Sequence, residues 1–180
     1  MTAYTHIDKL GVQRLLVECR VAILGNDIDA EDKVKALWDT GAMCTCISET
    51  LAQKLQLKPD DFGKVSGANN QPFDVPVYSV QLKMGHFTLP YLRVVGLPMD
   101  GQEHDVIIGM DVITKGDLSI TNCDNHTILT FREPSILPIN YVEELKKLKQ
   151  IHIKWMESGN QKCPCGSGKL WHNCHGSKGD

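Results

Sequence analysis

From Val12 to Asp105 the apolar positions come in short runs rich in Val, Ile, Leu and Tyr, broken by turn residues, and this pattern predicts a mainly β domain built of hairpins. The spacing predicts strands over residues 13–24, 33–38, 73–84 and 88–95, then over 105–108, 119–120 and 127–131. Two stretches leave the pattern. Residues 48–57 (SETLAQKLQL) predict a short helix capped by Ser48, with Leu51 and Leu55 on one face, and residues 111–115 after Gly109 predict another. Between residues 63 and 72 the run GKVSGANNQP is polar and rich in small residues, with a strand on either side. It reads as a long hairpin tip, and taken alone it suits a plain surface turn equally well.

Beyond Pro138 the period changes. Asn140 and Glu143 have capping-box spacing, and the helix they open runs to about Glu157. Val142, Leu145, Leu148 and Trp155 mark its apolar stripe, and Glu143 is placed to pair with Lys147. Gly159 ends this connector. The tail, QKCPCGSGKLWHNCHGSKGD, is too short and too poor in apolar residues to fold without a staple. The chain thus divides into a domain over residues 1–137, a helical linker over 138–160 and a small tail over 161–180.

Composition narrows the function classes. A chain of 180 residues holds one ordinary domain and an appendage but not a two-lobed enzyme. Its hydrophobic fraction of 42% and charged fraction of 23% are those of a soluble globular protein with a real core. The formal charge of −3 divides into +3 over residues 141–180 and −6 over the rest, which argues against direct nucleic-acid binding. No apolar leader and no run long enough to span a membrane is present, so the expected compartment is the cytoplasm. Seven cysteines, three of them in the last eighteen residues, fit reduced thiols and one metal site better than a disulfide framework.

The central chemistry lies where an apolar strand, Val34-Lys-Ala-Leu-Trp38, runs into Asp39-Thr40-Gly41-Ala42. Gly41 lets the backbone approach closely and Thr40 puts a hydroxyl beside the acid, although an Asp-Thr-Gly tripeptide by itself also suits an ordinary turn. Further along, residues 105–113 (DVIIGMDVI) form a β run into Gly109 followed by a helical stretch. Met43, Cys44 and Cys46 read as core packing rather than redox chemistry.

Taken in this order and spacing, the Asp39 block, the polar tip and the Gly109 block resemble the retropepsin-like aspartic proteases over about residues 12–131, or two-thirds of the chain. The resemblance implies a closed acid-protease barrel with short helices. Asp39, Thr40 and Gly41 would form the catalytic turn, Gly67, Ala68, Asn69 and Asn70 the flap over bound peptide, and Gly109 the second signature. Peptide hydrolysis of this kind uses two carboxylates, one as base on the attacking water and one as acid, with no cofactor. The chain has a single Asp-Thr-Gly, and Asp111 lacks the turn that follows it, so a second copy must supply the other Asp39 across a two-fold axis. The resemblance further implies that Thr40 bonds across that homodimer.

In the tail, Cys163, Cys165 and Cys174 with His175 offer three thiolates and an imidazole, the donor set of a closed structural zinc site with one ion per chain. His172 is a spare imidazole that could replace His175. The stretch, with Pro164, Gly166, Ser167, Gly168, Lys169 and Gly176, resembles the SEC-C motif of bacterial proteins, which implies protein docking, with a chaperone or the ribosome as partner. The expected function is therefore a homodimeric aspartic endopeptidase acting on peptides or proteins, with a zinc-bound docking tail. The alternative is a non-catalytic peptide- or protein-binding module recruited through that tail.

Overall fold

The computed structural model describes residues 1–9, 11–66, 71–157, 162–163 and 165–174. The chain divides into two compact units, Met1–Ile136 and Leu137–Asp180.

The first unit is mainly β. Its strands are β1 (Thr2–Lys9), β2 (Leu16–Ile23), β3 (Val34–Trp38), β4 (Cys46–Ser48), β5 (Asp61–Ser66), β6 (Pro72–Met84), β7 (Phe87–Leu97), β8 (Val106–Ile108), β9 (Asp117–Cys123) and β10 (His126–Glu133). Two short helices, α1 (Glu49–Lys54) and α2 (Met110–Ile113), interrupt them. Six strands close a barrel in the order β2, β3, β8, β4, β7, β6. Closure works because β2 serves two neighbours: Leu16–Cys19 pair with β3 and Arg20–Ile23 pair with β6. A closed ring leaves no free edge among its members. β5 lies outside the ring as the partner of the first half of β6.

In β3, Ala36 and Trp38 are buried while Lys35 is exposed, as a half-buried strand requires. Val17, Val21, Ile47, Val80, Val94 and Ile108 fill the barrel interior with Trp38. The strand expected at 13–24 is shorter at both ends, and the pair expected at 119–120 and 127–131 is a longer hairpin. Its turn is Asp124-Asn125, both with positive φ (49° and 60°), the two-residue geometry that matches strand twist.

Of the strands missing from the ranges expected from the sequence, β4 and β5 lie beside the expected helix and tip, whereas β1 was not expected at all. It pairs with β10 to complete a three-stranded sheet, β1-β10-β9. Its half-buried face carries Tyr4, His6 and Asp8, and Ile7 points outward, so no apolar period marks it. The sheet is pinned to the barrel through Phe131, whose ring lies 5.1 Å from that of Trp38 and 5.4 Å from that of Phe87. Aromatic contacts of this kind add about 0.5–1.5 kcal/mol each beyond the area they bury.

Ser48 caps α1 as expected, accepting from the Leu51 N–H at 3.0 Å. α2 begins one residue before the expected position and ends earlier. The tip expected over 63–72 is narrower, because β5 and β6 stay paired as far as Ser66 opposite Pro72. Gly67, Ala68, Asn69 and Asn70 lie outside the described residues.

The second unit contains α3 (Tyr141–Glu157). Asn140 Oδ1 accepts from the Val142 and Glu143 N–H groups at 3.1 and 3.2 Å. The charge pair on its first turns is Glu143 with Lys146, at 2.7 Å, rather than Glu143 with Lys147. Both spacings bring side chains together on a helix, and the shorter one is taken. The tail turn is stitched by Cys163 N–H to Lys169 C=O at 2.7 Å, with Gly166 and Gly168 at φ of +78° and +73°. Among the described residues no helix is long and apolar enough to cross a membrane.

Candidate active site and cysteine cluster

Asp39 is the first residue past β3. Its backbone N–H bonds Ile108 C=O at 3.0 Å, so the strand ladder with β8 carries on into the loop and sets where the carboxylate starts. Oδ1 then accepts from the Gly41 N–H at 2.8 Å, and Ala42 N–H closes a turn on Asp39 C=O at 3.2 Å. A Cβ on residue 41 would stand 3.1 Å from Oδ1, which is why glycine suits this position. Asp39 is half-buried. Thr40, Gly41 and Met43 are exposed, and the Thr40 hydroxyl makes no hydrogen bond among the described residues.

Gly109 is placed against the same loop. A Cβ there would meet the Cys44 carbonyl carbon and oxygen at 2.6 Å, so only glycine lets the two segments touch. Met110 N–H then reaches Ala42 C=O at 2.8 Å and Asp111 N–H reaches Met43 C=O at 3.3 Å. Thr45, buried, joins the two: its Oγ1 accepts from Gly109 N–H at 3.1 Å and donates to Asp111 Oδ1 at 2.8 Å. Asp111 Oδ1 also accepts from Val112 N–H at 3.0 Å. That carboxylate is committed to bracing.

Sequence reasoning missed Thr45, the task of Asp111, and a second tie. Ser48 Oγ donates to Asp105 Oδ1 at 2.8 Å while capping α1, which couples β4 and α1 to the segment entering β8. The only available signal was a hydroxyl and a carboxylate some 60 residues apart, with nothing local to link them.

The two cysteines of this loop differ. Cys46 is buried and its thiol donates to Cys44 C=O at 3.3 Å; Cys44 is half-buried. The Cys46 thiol beside it holds Cys44 down at about 7, and the same contact together with burial pushes Cys46 far up. Core packing describes Cys46 alone: Cys44 is half-buried beside the Asp39 turn, and Met43 is 86% exposed. Trp38 packs in the core, yet its buried Nε1–H lacks a hydrogen-bond partner among the described residues.

In the tail, the sulfurs of Cys163, Cys165 and Cys174 all lie within 4.8 Å of one another, and Cys165 Sγ is 3.6 Å from Cys174 Sγ. Tetrahedral zinc with bonds of about 2.3 Å to sulfur separates its thiolates by about 3.8 Å, so the donor set fits a metal. His175 lies outside the described residues.

A family model described as aspartyl protease matches residues 20–112, and one described as SEC-C motif matches residues 160–177. No curated protein matches the chain. Among solved structures the chain is similar to a retropepsin-like aspartic protease from Rickettsia conorii, at 13% identity and TM-score 0.47, covering 72% of this chain and 93% of that one. It is also similar to the retroviral protease-like domain of Ddi1 from Leishmania major, at 18% identity and TM-score 0.42, covering 72% and 98%. The EIAV protease complexed with the inhibitor HBY-793 shares 16% identity at TM-score 0.40, covering 59% and 90%.

Proposed function

The chain belongs to the aspartyl protease family, and on that premise we propose that it is an aspartic endopeptidase whose active site is completed by a second copy of itself. The observation that carries this reading is the Asp39 turn. A carboxylate is held by Gly41 at the end of barrel strand β3, Thr40 and Gly41 are exposed beside it, and the loop is braced by Thr45, Gly109 and Asp111. One turn offers one carboxylate. Symmetry brings the second, and the pair then shares a proton, one Asp39 taking the proton of the attacking water while the other gives one to the substrate carbonyl. Thr40 of each copy bonds across the axis and steadies the two turns. Gly67, Ala68, Asn69 and Asn70 close over the peptide and exclude water.

The protease domain covers residues 1–137, the helical linker 138–160 and the zinc-bound tail 161–180. Cys163, Cys165, Cys174 and His175 hold one structural zinc, which supplies folding energy rather than catalysis. The tail docks a protein partner, a chaperone or the ribosome. The chain's compartment in this reading is the cytoplasm, where thiols such as those of Cys19, Cys44, Cys46 and Cys123 stay reduced. The test is cleavage of casein or a peptide library by the dimer. Asp39→Asn should abolish it with fold and dimer intact; cleavage that survives the substitution would refute the enzyme reading, and an inactive parent that binds peptides would support the binding module.

A further inference from the structure

The barrel's dimer leaves one feature of the second unit unused. Val142, Leu145 and Leu148 of α3 are 64%, 57% and 60% exposed, an apolar stripe on a helix of 17 residues. Apolar side chains this bare on a capped, charged helix call for a cover. Tyr141, also exposed, steps to Leu145 and Leu148 by four and three, the 3.5-residue period of a coiled-coil seam with Val142 on its flank, and in the sequence the same steps run on to His152 and Trp155.

We propose that α3 is a second self-association element, in which two copies lie parallel as a two-stranded coiled coil with Leu145 and Leu148 in the seam and Glu144 of each copy paired with Lys149 of the other. In this register Glu144 takes the g position and Lys149 the e position of the next heptad, which parallel pairing sets opposite each other across the seam. An antiparallel pair would instead oppose Glu144 to Glu144 and Lys149 to Lys149. Within one chain the two residues are five apart and on different faces, and neither makes an ion pair among the described residues, whereas Glu143 is already taken by Lys146. The charges are therefore complementary between copies and not within one.

The inference rests on the reading of this chain as a symmetric dimer. A seam of about two heptads is too short to associate alone in water. Linked to barrels that are already paired, the second contact becomes intramolecular and its effective concentration rises to about the millimolar range.

The experiment measures the dimer dissociation constant of the full-length chain by sedimentation equilibrium. Leu145→Gln combined with Leu148→Gln keeps good helix formers in α3 and should weaken the dimer by about tenfold or more, with the far-ultraviolet spectrum unchanged. Glu144→Lys and Lys149→Glu should each weaken it by about threefold, and the two together should restore the parent value within about twofold, because the pair is reversed rather than lost. A dissociation constant indifferent to the leucine variant, a combined charge variant no tighter than the single ones, or a parent chain monomeric at every concentration would each overturn the inference. Failure of the protease reading registers elsewhere, as casein cleavage that Asp39→Asn does not remove.

Discussion

The hydroxyl of Thr45 donates to Asp111 Oδ1 at 2.8 Å and accepts from Gly109 N–H at 3.1 Å, so one buried side chain fastens the Asp39 loop to the start of α2. Thr45→Val keeps the shape and removes the hydroxyl, leaving the Gly109 N–H buried without its acceptor. The expected loss is about 1–3 kcal/mol of stability, read by urea unfolding, with Thr45→Ser close to the parent. Proteolytic activity should fall with Thr45→Val well below the unfolding range, because the Asp39 turn loses its brace. Stability unchanged by Thr45→Val would contradict the role given to this hydroxyl.

Asp117 begins β9 and gathers the Ser135 hydroxyl, the Arg132 guanidinium and the Ile136 N–H. These donors, Ser135 foremost, hold its carboxyl down at about 2. A folded-state value below the unfolded one of about 3.9 means stability fully present above about pH 4 and lost as the pH falls through about 2. Asp117→Asn should therefore flatten the acid limb of a stability-against-pH curve in that window. An acid limb identical to that of the parent chain would show that the cluster contributes nothing.

Cys44 should react early. With its thiol held at about 7, alkylation by iodoacetamide should reach half its limiting rate near pH 7, while buried Cys46 stays unmodified in the native protein. Cys46→Ala removes the neighbouring thiol and should move the Cys44 profile up toward the ordinary thiol value of about 8.5. Peptide mass mapping after timed alkylation distinguishes the two sites.

Metal analysis of reduced protein should find about one zinc per chain, and Cys174→Ser should lower that occupancy while leaving barrel unfolding unchanged. Occupancy equal in parent and variant would remove the ligand assignment.

Most barrel strands were legible in the sequence as short runs rich in Val, Ile and Leu between turn residues, whereas the three buried residues of β4 gave no such signal. β1 was not legible either, since the face it half-buries holds Tyr4, His6 and Asp8 and an apolar period never forms. The Asp39 turn was legible through its local motif, and Gly109 through the β run before it. The brace was not: Thr45 and Asp111 are 66 residues apart, and only the folded ladder of β3, β8 and β4 brings them together. Asp111 looked like a failed catalytic carboxylate in sequence, and in the fold it is occupied by hydrogen bonds to Thr45 and Val112. Cys44 and Cys46 looked alike two residues apart, and burial on one side of the loop separates them.

The central claim is that each active site takes one Asp39 from each of two copies. Mixing parent and Asp39→Asn chains, letting subunits exchange, and measuring casein cleavage at constant total protein tests it most directly. If both carboxylates are required, hybrid dimers are inactive and activity falls as the square of the parent fraction, to about one quarter at equal mixing. A linear fall, to about one half, would mean that each chain carries its own complete site and would contradict the claim.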